Sequence, residues 1–195
     1  MINQIILDNK LFQFKESFLP CLVIWACKSW ASYFSVTLVA NLINQWYKII
    51  FFTAFPMAKE ELLNQIWSNK TFDITKITDF KYIPQDKSII IQSWNKQLRE
   101  KVIKNIKDLE NYIIFVKNIE EYDNSILDII WINNKIILSW DLDNCSFKNN
   151  IVKKEWESKI IFTLPKIDLN IDIPTLEKYE SYLINPKIKW ILKIK

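Results

Sequence analysis

One run of side chains in this sequence has the types and spacing to hold an anion: Trp25-Ala26-Cys27-Lys28-Ser29-Trp30-Ala31-Ser32. It follows a short apolar run, Cys21 to Ile24, and leads into an apolar-periodic run from Tyr33 to Ile43. A strand, a tight turn and a helix start are the setting of a phosphate-binding loop. The first helical N–H groups have no intrahelical partner, and the aligned peptide dipoles leave partial positive charge there. Such a loop curls its bare backbone around the anion, which glycine permits. Lys28 supplies a cation inside the loop, and Ser32 a hydroxyl suited to Mg2+. Yet the chain has 0 glycines and 9 tryptophans, where average usage gives roughly 14 glycines in a chain this long.

The tryptophans stand where glycine is wanted. Trp46 lies between a helical run, Leu38 to Gln45, and a strand-like run, Tyr47 to Thr53. Trp67 follows Leu62 to Ile66, and Trp131 follows Ile126 to Ile130. All three are expected just past a helix, where a left-handed residue, usually glycine, closes the last turn. Trp94 and Trp140 closely follow the strand-like runs Ser88 to Gln92 and Lys135 to Ser139, and Trp190 precedes an expected terminal strand. Some genetic codes read UGA as glycine and others as tryptophan. The expectation is that most of these tryptophans are glycine in the native protein, with Trp156 fitting either residue. A protein truly free of glycine is the alternative, and UGG codons at positions 25, 30, 46 and 131 would establish it.

With glycine at 25 and 30 the run becomes Gly-Ala-Cys-Lys-Ser-Gly-Ala-Ser. Against G-x-x-x-x-G-K-[ST], both glycine positions and Ser32 match, Ala31 stands where the lysine belongs, and Lys28 lies three residues earlier. On these residues the chain resembles the P-loop NTPases, particularly the RecA-like branch with extra strands between its two ATPase motifs. The resemblance spans most of the chain by strand order. It implies ATP and Mg2+ as ligands, Lys28 and the backbone from Trp25 to Ser32 on the phosphates, and Ser32 on the metal. It also implies a second motif at the end of a later strand, an Asp holding Mg2+ through water and a Glu polarising the attacking water. The corresponding strand, Tyr112 to Val116, continues Lys117-Asn118-Ile119-Glu120-Glu121. Lys117-Asn118 thus stand where Asp-Glu is expected, so both motifs are degenerate. Glu120 and Glu121 read either as relocated acids or as first-turn helix acids complementing the dipole. Ser139, at the end of the next strand, matches the polar residue that senses the γ-phosphate, while Asp141 and Asp143 read as turn residues.

The elements that must position these residues alternate along the chain. Continuous apolar runs (Ile89-Ile90-Ile91, Ile113-Ile114-Phe115, Ile136-Ile137-Leu138, Ile160-Ile161-Phe162) suit strands of a parallel sheet buried on both faces. Between strands, helices are expected from about Ala31 to Gln45, Pro56 to Ile66, Asn95 to Glu110 and Glu120 to Ile130. A further helix is expected over Pro174–Leu183. Residues 1–17 read as a lead-in strand or hairpin, Thr71 to Ile83 as irregular, and Ile191 to Ile194 as the closing strand. The fold class is α/β, a three-layer sandwich with a mostly parallel, RecA-like P-loop sheet, in one domain over residues 1–195. That arrangement requires the first core strand to be flanked by later strands, with the loop at its C-terminal edge.

Composition bounds the chemistry. The net charge is +4, mildly basic and spread along the chain, so nucleic acid is permitted and not implied. The cluster Lys96, Arg99, Lys101, Lys104 and Lys107 is interleaved with Glu100, Asp108 and Glu110, the pattern of a solvated helix face. There is no histidine, which excludes His-based catalysis and His-bearing metal sites. Cys21, Cys27 and Cys145 lack metal-site spacing and suit reduced thiols in a cytoplasmic protein. The Met1-Ile2-Asn3-Gln4 start lacks a basic region, and Lys28, Asn41, Asn44, Gln45 and Lys48 interrupt the apolar stretch from Leu19 to Phe55, so no membrane span is expected. The C-terminal run from Lys159 to Pro165 and the segment beyond it look like the closing strands of DNA-translocating ATPases of the cell-division and conjugation type. The reading is a nucleotide-binding domain with weak or lost hydrolysis, whose partners are nucleotide and a protein oligomer or DNA-linked machinery. The alternatives are a non-catalytic α/β interaction module without nucleotide, or an active ATPase using relocated acids.

Overall fold

A computed structural model describes residues 3–7, 10–14, 16–25, 31–74, 83–93, 96–105, 109–124, 126–128, 133–141, 148–162, 180–185 and 188–193. An antiparallel hairpin opens the chain, β1 (Asn3–Leu7) with β2 (Lys10–Phe14). The body is a nine-stranded sheet. Its strands are β3 (Cys21–Trp25), β4 (Ile49–Thr53), β5 (Thr71–Ile74), β6 (Ser88–Gln92), β7 (Ile113–Val116), β8 (Ile136–Asp141), β9 (Ser158–Phe162), β10 (Glu180–Asn185) and β11 (Ile188–Lys193). They lie in the order β11-β10-β9-β3-β8-β7-β4-β6-β5. From β9 to β5 every pairing is parallel, and β10 and β11 add an antiparallel edge.

The apolar runs explain the central strands. β3, β4, β7 and β8 are buried at every position, because helices cover both sheet faces. Alternation along each strand sends side chains to two cores. Val23, Phe51, Ile113, Phe115 and Ile137 pack under α1 (Ala31–Asn44) and α2 (Pro56–Gln65), with Phe34, Leu38 and Leu62. Leu22, Ile24, Ile114, Ile136 and Leu138 face the other side, with Leu98 of α3 (Lys96–Asn105) and Ile151 of α4 (Lys148–Lys153). The chain winds outward from β3 through β4 to β6 and β5, then returns through β7 and β8 to β9. Crossovers of one hand put the helices on one face on the way out and on the other on the way back. The expected flanking holds: β3 lies between the later strands β8 and β9.

Several local expectations give way to tertiary pairing. Thr71–Ile74 is not irregular; it adds a parallel edge strand to β6, with Ile74 buried. Glu180–Asn185 is a strand, not the end of a helix, because β9 and β11 offer ladders on both sides and Leu183 fills the first core. The expected helix from Glu120 begins as one 3-10 turn, Ile119–Glu121, entered through Asn118 at φ 55, ψ 67. Trp140 does not follow a strand: β8 runs on to Asp141, and Trp140 is fully buried in it. Likewise Trp190 sits within β11, opposite Leu183. Trp67 is in ordinary extended backbone, φ −75, ψ 126, because α2 ends through extended Ile66 and not through a left-handed turn. Trp94 and Trp131 lie outside the described residues.

Trp46 meets its expectation. Its φ is 70. The Trp46 N–H donates to the Ile43 carbonyl at 3.0 Å and the Tyr47 N–H to the Leu42 carbonyl at 3.1 Å. These two bonds form a Schellman C-cap with Trp46 at the left-handed position. A Cβ there costs about 1 kcal/mol, and the indole is 76 % exposed, so little packing offsets that cost. Trp46→Gly should therefore raise stability by about 1 kcal/mol in urea unfolding, whereas Trp140→Ala should lower it by about 3–5 kcal/mol. Destabilisation by Trp46→Gly would contradict the cap reading.

Candidate functional site at the sheet edge

β3 ends at Trp25 and α1 begins at Ala31, so the polypeptide crosses from the C-terminal edge of the sheet to a helix N-terminus between them. Trp25 is buried and pairs in register with Asp141 of β8 and Phe162 of β9. Ala31 and Ser32 form the first turn of α1. Ala26, Cys27, Lys28, Ser29 and Trp30 lie outside the described residues. The edge beside β3 is the switch point of the sheet: the chain leaves β3 over one face, while its neighbours β8 and β9 belong to the returning half. Ligands of open α/β sheets settle in such crevices.

Side-chain alternation brings more polar groups to this corner. Val23, Ile137, Ile113 and Phe115 face α1 and α2; by the same period Trp25, Ser139, Asp141 and Lys117 project to that face at the strand ends. Lys117, the first residue past β7, is 1 % exposed. Its Nζ donates to Asn118 Oδ1 at 2.8 Å and lies 5.9 Å from the centre of the Trp25 ring. Burial pushes its ammonium down to about 8, against the opposing pull of the Glu120 and Glu61 carboxylates.

Asn118 ties the turn together. Its left-handed conformation suits asparagine better than most residues. The Asn118 backbone N–H donates to Ser139 Oγ at 3.1 Å, and its side-chain Nδ2 donates to Glu120 Oε1 at 2.8 Å. Glu120 Oε2 accepts the Asp141 backbone N–H at 3.1 Å. Both carboxylate oxygens are thus fastened across the ends of β7 and β8. Burial raises the Glu120 carboxyl above its ordinary value, opposed by the hydrogen bonds from its own backbone, from Asp141 and from Asn118. The network can hold a lysine and a carboxylate in fixed positions beside the end of β3.

Set against the sequence expectations, Ser139, Glu120 and the Lys117-Asn118 pair come together, and Trp25 lies alongside. Glu120 is not a first-turn acid of a long helix; it bridges two strands. Glu121 lends the 3-10 turn its backbone N–H, bonded to the Asn118 carbonyl at 3.0 Å. Asp141, read from sequence as a turn residue, is a buried strand residue in the same corner. Glu61 of α2 was not singled out at all, and no sequence signal separates it from the other charges of that helix.

The fold can be compared with solved structures. The genome packaging NTPase of Sulfolobus turreted icosahedral virus 2, in complex with ATP-gammaS, superimposes with a TM-score of 0.61 at 11 % identity, over 93 % of this chain and 100 % of that one. The same protein in complex with AMPPCP gives 0.57 at 10 % identity, over the same shares. The cytoplasmic domain of the Type VII secretion ATPase EccC of Thermomonospora curvata gives 0.60 at 9 % identity, over 95 % of this chain but only 25 % of that one. No family model and no curated protein sequence matches the chain.

The buried ammonium makes the corner testable by pH. The folded-state value of Lys117, about 8, lies below its ordinary 10.5, so the unfolded chain binds this proton more tightly. The resulting penalty, on the order of 3 kcal/mol, is full below pH 8 and is relieved between pH 8 and 10.5. Stability of the wild type relative to Lys117→Met should rise by about that amount across the window in urea titrations; a flat difference would refute the burial. In its architecture, a mostly parallel sheet between two helical layers, the chain has the α/β fold of the packaging NTPase and the secretion ATPase.

Proposed function

We propose that the chain is a nucleotide-binding P-loop domain with weak or lost hydrolysis, working within a DNA-translocation or secretion-type machine. The observation that carries this reading is the order β9-β3-β8-β7-β4, in which the end of β3 at Trp25 lies next to the end of β8, with β7 beyond it. Support comes from the packaging NTPase of like fold, solved with AMPPCP, ATP-gammaS and AMP. Lys28 and the backbone from Trp25 to Ser32 hold the phosphates of ATP. Weak hydrolysis follows from Lys117-Asn118 standing at the end of β7, with Glu120 fastened by two hydrogen bonds.

The reading includes glycine at positions 25, 30 and 46 of the native protein. The Schellman cap at Trp46 supports it there. At position 25 a buried indole stands where a phosphate cradle needs bare backbone. Trp156, by contrast, is buried with its Nε1 bonded to the Ile151 carbonyl at 2.9 Å, as a genuine tryptophan would be. The cytoplasm suits the buried free thiol of Cys21, and among the described residues no helix is long and apolar enough to cross a membrane.

A second reading, an active ATPase with a relocated acid, is favoured by one observation: Glu120 reaches the sheet edge with its carboxyl raised by burial. Fluorescent ATP binding and phosphate release, measured on the full chain with glycine at 25, 30 and 46, separate the possibilities. Binding without turnover is the expected result. Turnover abolished by Glu120→Gln would establish the second reading, and absence of any binding would leave a non-catalytic interaction module. The masses of peptides spanning 25–30 and 46 from the native protein read glycine or tryptophan directly.

A further inference from the structure

The polar corner at the end of β7 brings together the three groups of an amide-forming reaction. Lys117 carries an amine, Asn118 a carboxamide and Glu120 a carboxyl group. The Lys117 Nζ donates to Asn118 Oδ1 at 2.8 Å, and Asn118 Nδ2 donates to Glu120 Oε1 at 2.8 Å. The amine thus lies against the oxygen end of the carboxamide and the carboxyl group against its nitrogen. From this geometry we propose that Lys117 and Asn118 join their side chains in an intramolecular isopeptide bond, with Glu120 carrying the proton to the departing nitrogen.

The reaction needs no oxidant, cofactor or water. The Lys117 nitrogen, in its neutral form, attacks Asn118 Cγ, one bond away from Oδ1. A proton of that nitrogen passes through the Glu120 carboxyl group to Nδ2. The Cγ–Nδ2 bond then breaks, and ammonia leaves as the new Nζ–Cγ amide forms. One amine and one primary amide become one secondary amide and one ammonia, so atoms and charge balance.

Proximity favours this reaction. Nucleophile and carboxamide are held in contact within the folded chain, which replaces a chance encounter by a fixed one. Asn118 is itself fastened, its N–H donating to Ser139 Oγ at 3.1 Å, in a left-handed backbone, φ 55, ψ 67. Glu120 is held in turn, because its Oε2 accepts the Asp141 N–H at 3.1 Å.

Burial makes the amine reactive. Lys117 is 1 % exposed, and loss of water pushes its ammonium down to about 8 against the pull of Glu120 and Glu61. Roughly a tenth of it is then neutral at pH 7, far more than in an ordinary lysine. Asn118 and Glu120, by contrast, are only partly buried, so ammonia formed at Nδ2 has a way to solvent. None of these hydrogen bonds involves a tryptophan, and none requires a bound nucleotide. Lys117 in the linked chain carries no charge, so the pH-dependent stability difference belongs to the unlinked chain.

The test is peptide mass spectrometry of the full chain. It is kept folded at about pH 8.5, where more than half of an amine titrating near 8 is neutral, then denatured and digested with trypsin. The peptide holding Lys117 and Asn118 should be lighter by one ammonia, and trypsin should not cut after Lys117. In a parallel denatured sample, Lys117 should not take up an acetylating reagent. Lys117→Arg and Asn118→Ala should each abolish the mass loss, and Glu120→Gln should slow its appearance by about a hundredfold. A peptide of full mass, cut after Lys117, overturns the proposal. So does loss of ammonia with Lys117 still cut and acetylated, which marks closure of Asn118 onto its own backbone. Unchanged formation in a folded Glu120→Gln overturns the proton path. Should that variant fail to fold, the wild-type mass and digestion still decide.

Discussion

A strand buried on both faces has no place for a polar side chain except at its ends. That constraint organises this protein. β3, β4, β7 and β8 are sealed along their length by helices on either side, so hydroxyl, amide and charged groups gather where the strands stop. Ser139, Asp141, Lys117 and Asn118 collect at one edge because the parallel strands all end there. The strand order then decides which ends are neighbours. Because β8 separates β3 from β7, the end of β3 at Trp25 lies next to Asp141 of β8, with Lys117 one strand further.

Burial makes the interactions at this edge strong and interdependent. An ammonium and a carboxylate removed from water are each costly alone. Here the Glu120 carboxylate lowers the cost of the Lys117 ammonium, and the amide of Asn118 joins them by accepting from Lys117 and donating to Glu120. The left-handed backbone at Asn118 lets one residue face both partners while its N–H reaches Ser139. The corner is therefore a single polar network held by two chain segments, the end of β7 with its 3-10 turn and the end of β8, and a change in any member disturbs the rest.

The tryptophans separate by the same physical logic. Trp46 occupies a backbone position whose geometry favours a residue without a Cβ, and its ring is left mostly in water beside the Lys70 ammonium. Trp156 is buried and hydrogen-bonded, so its ring contributes area and a satisfied donor. Trp140 is buried without a partner for its Nε1 among the described residues, an arrangement that sets packing gain against an unsatisfied N–H.

Much of the fold was legible in the residues themselves. Runs such as Ile113-Ile114-Phe115 suit strands buried on both faces, and their alternation with helical spacing points to a parallel α/β sheet. The helix end at Trp46 was also legible, because a break between two apolar patterns needs a left-handed residue. Edge strands were not: Thr71–Ile74 and Glu180–Asn185 are strands because β6 and β9 present open ladders to them, and no local pattern encodes a neighbour. Glu120 shows the same division within the site. Its sequence position suits the start of a helix, and only the approach of β8 gives its carboxylate the Asp141 N–H to bind. By itself the sequence determined which segments must be buried and where the helix at Trp46 must end, since hydrophobic period and turn chemistry are local. Which strand ends meet, and hence that a buried lysine from the end of β7 stands 5.9 Å from the ring of Trp25 at the end of β3, was decided by tertiary structure alone, because strand order is set by long-range pairing.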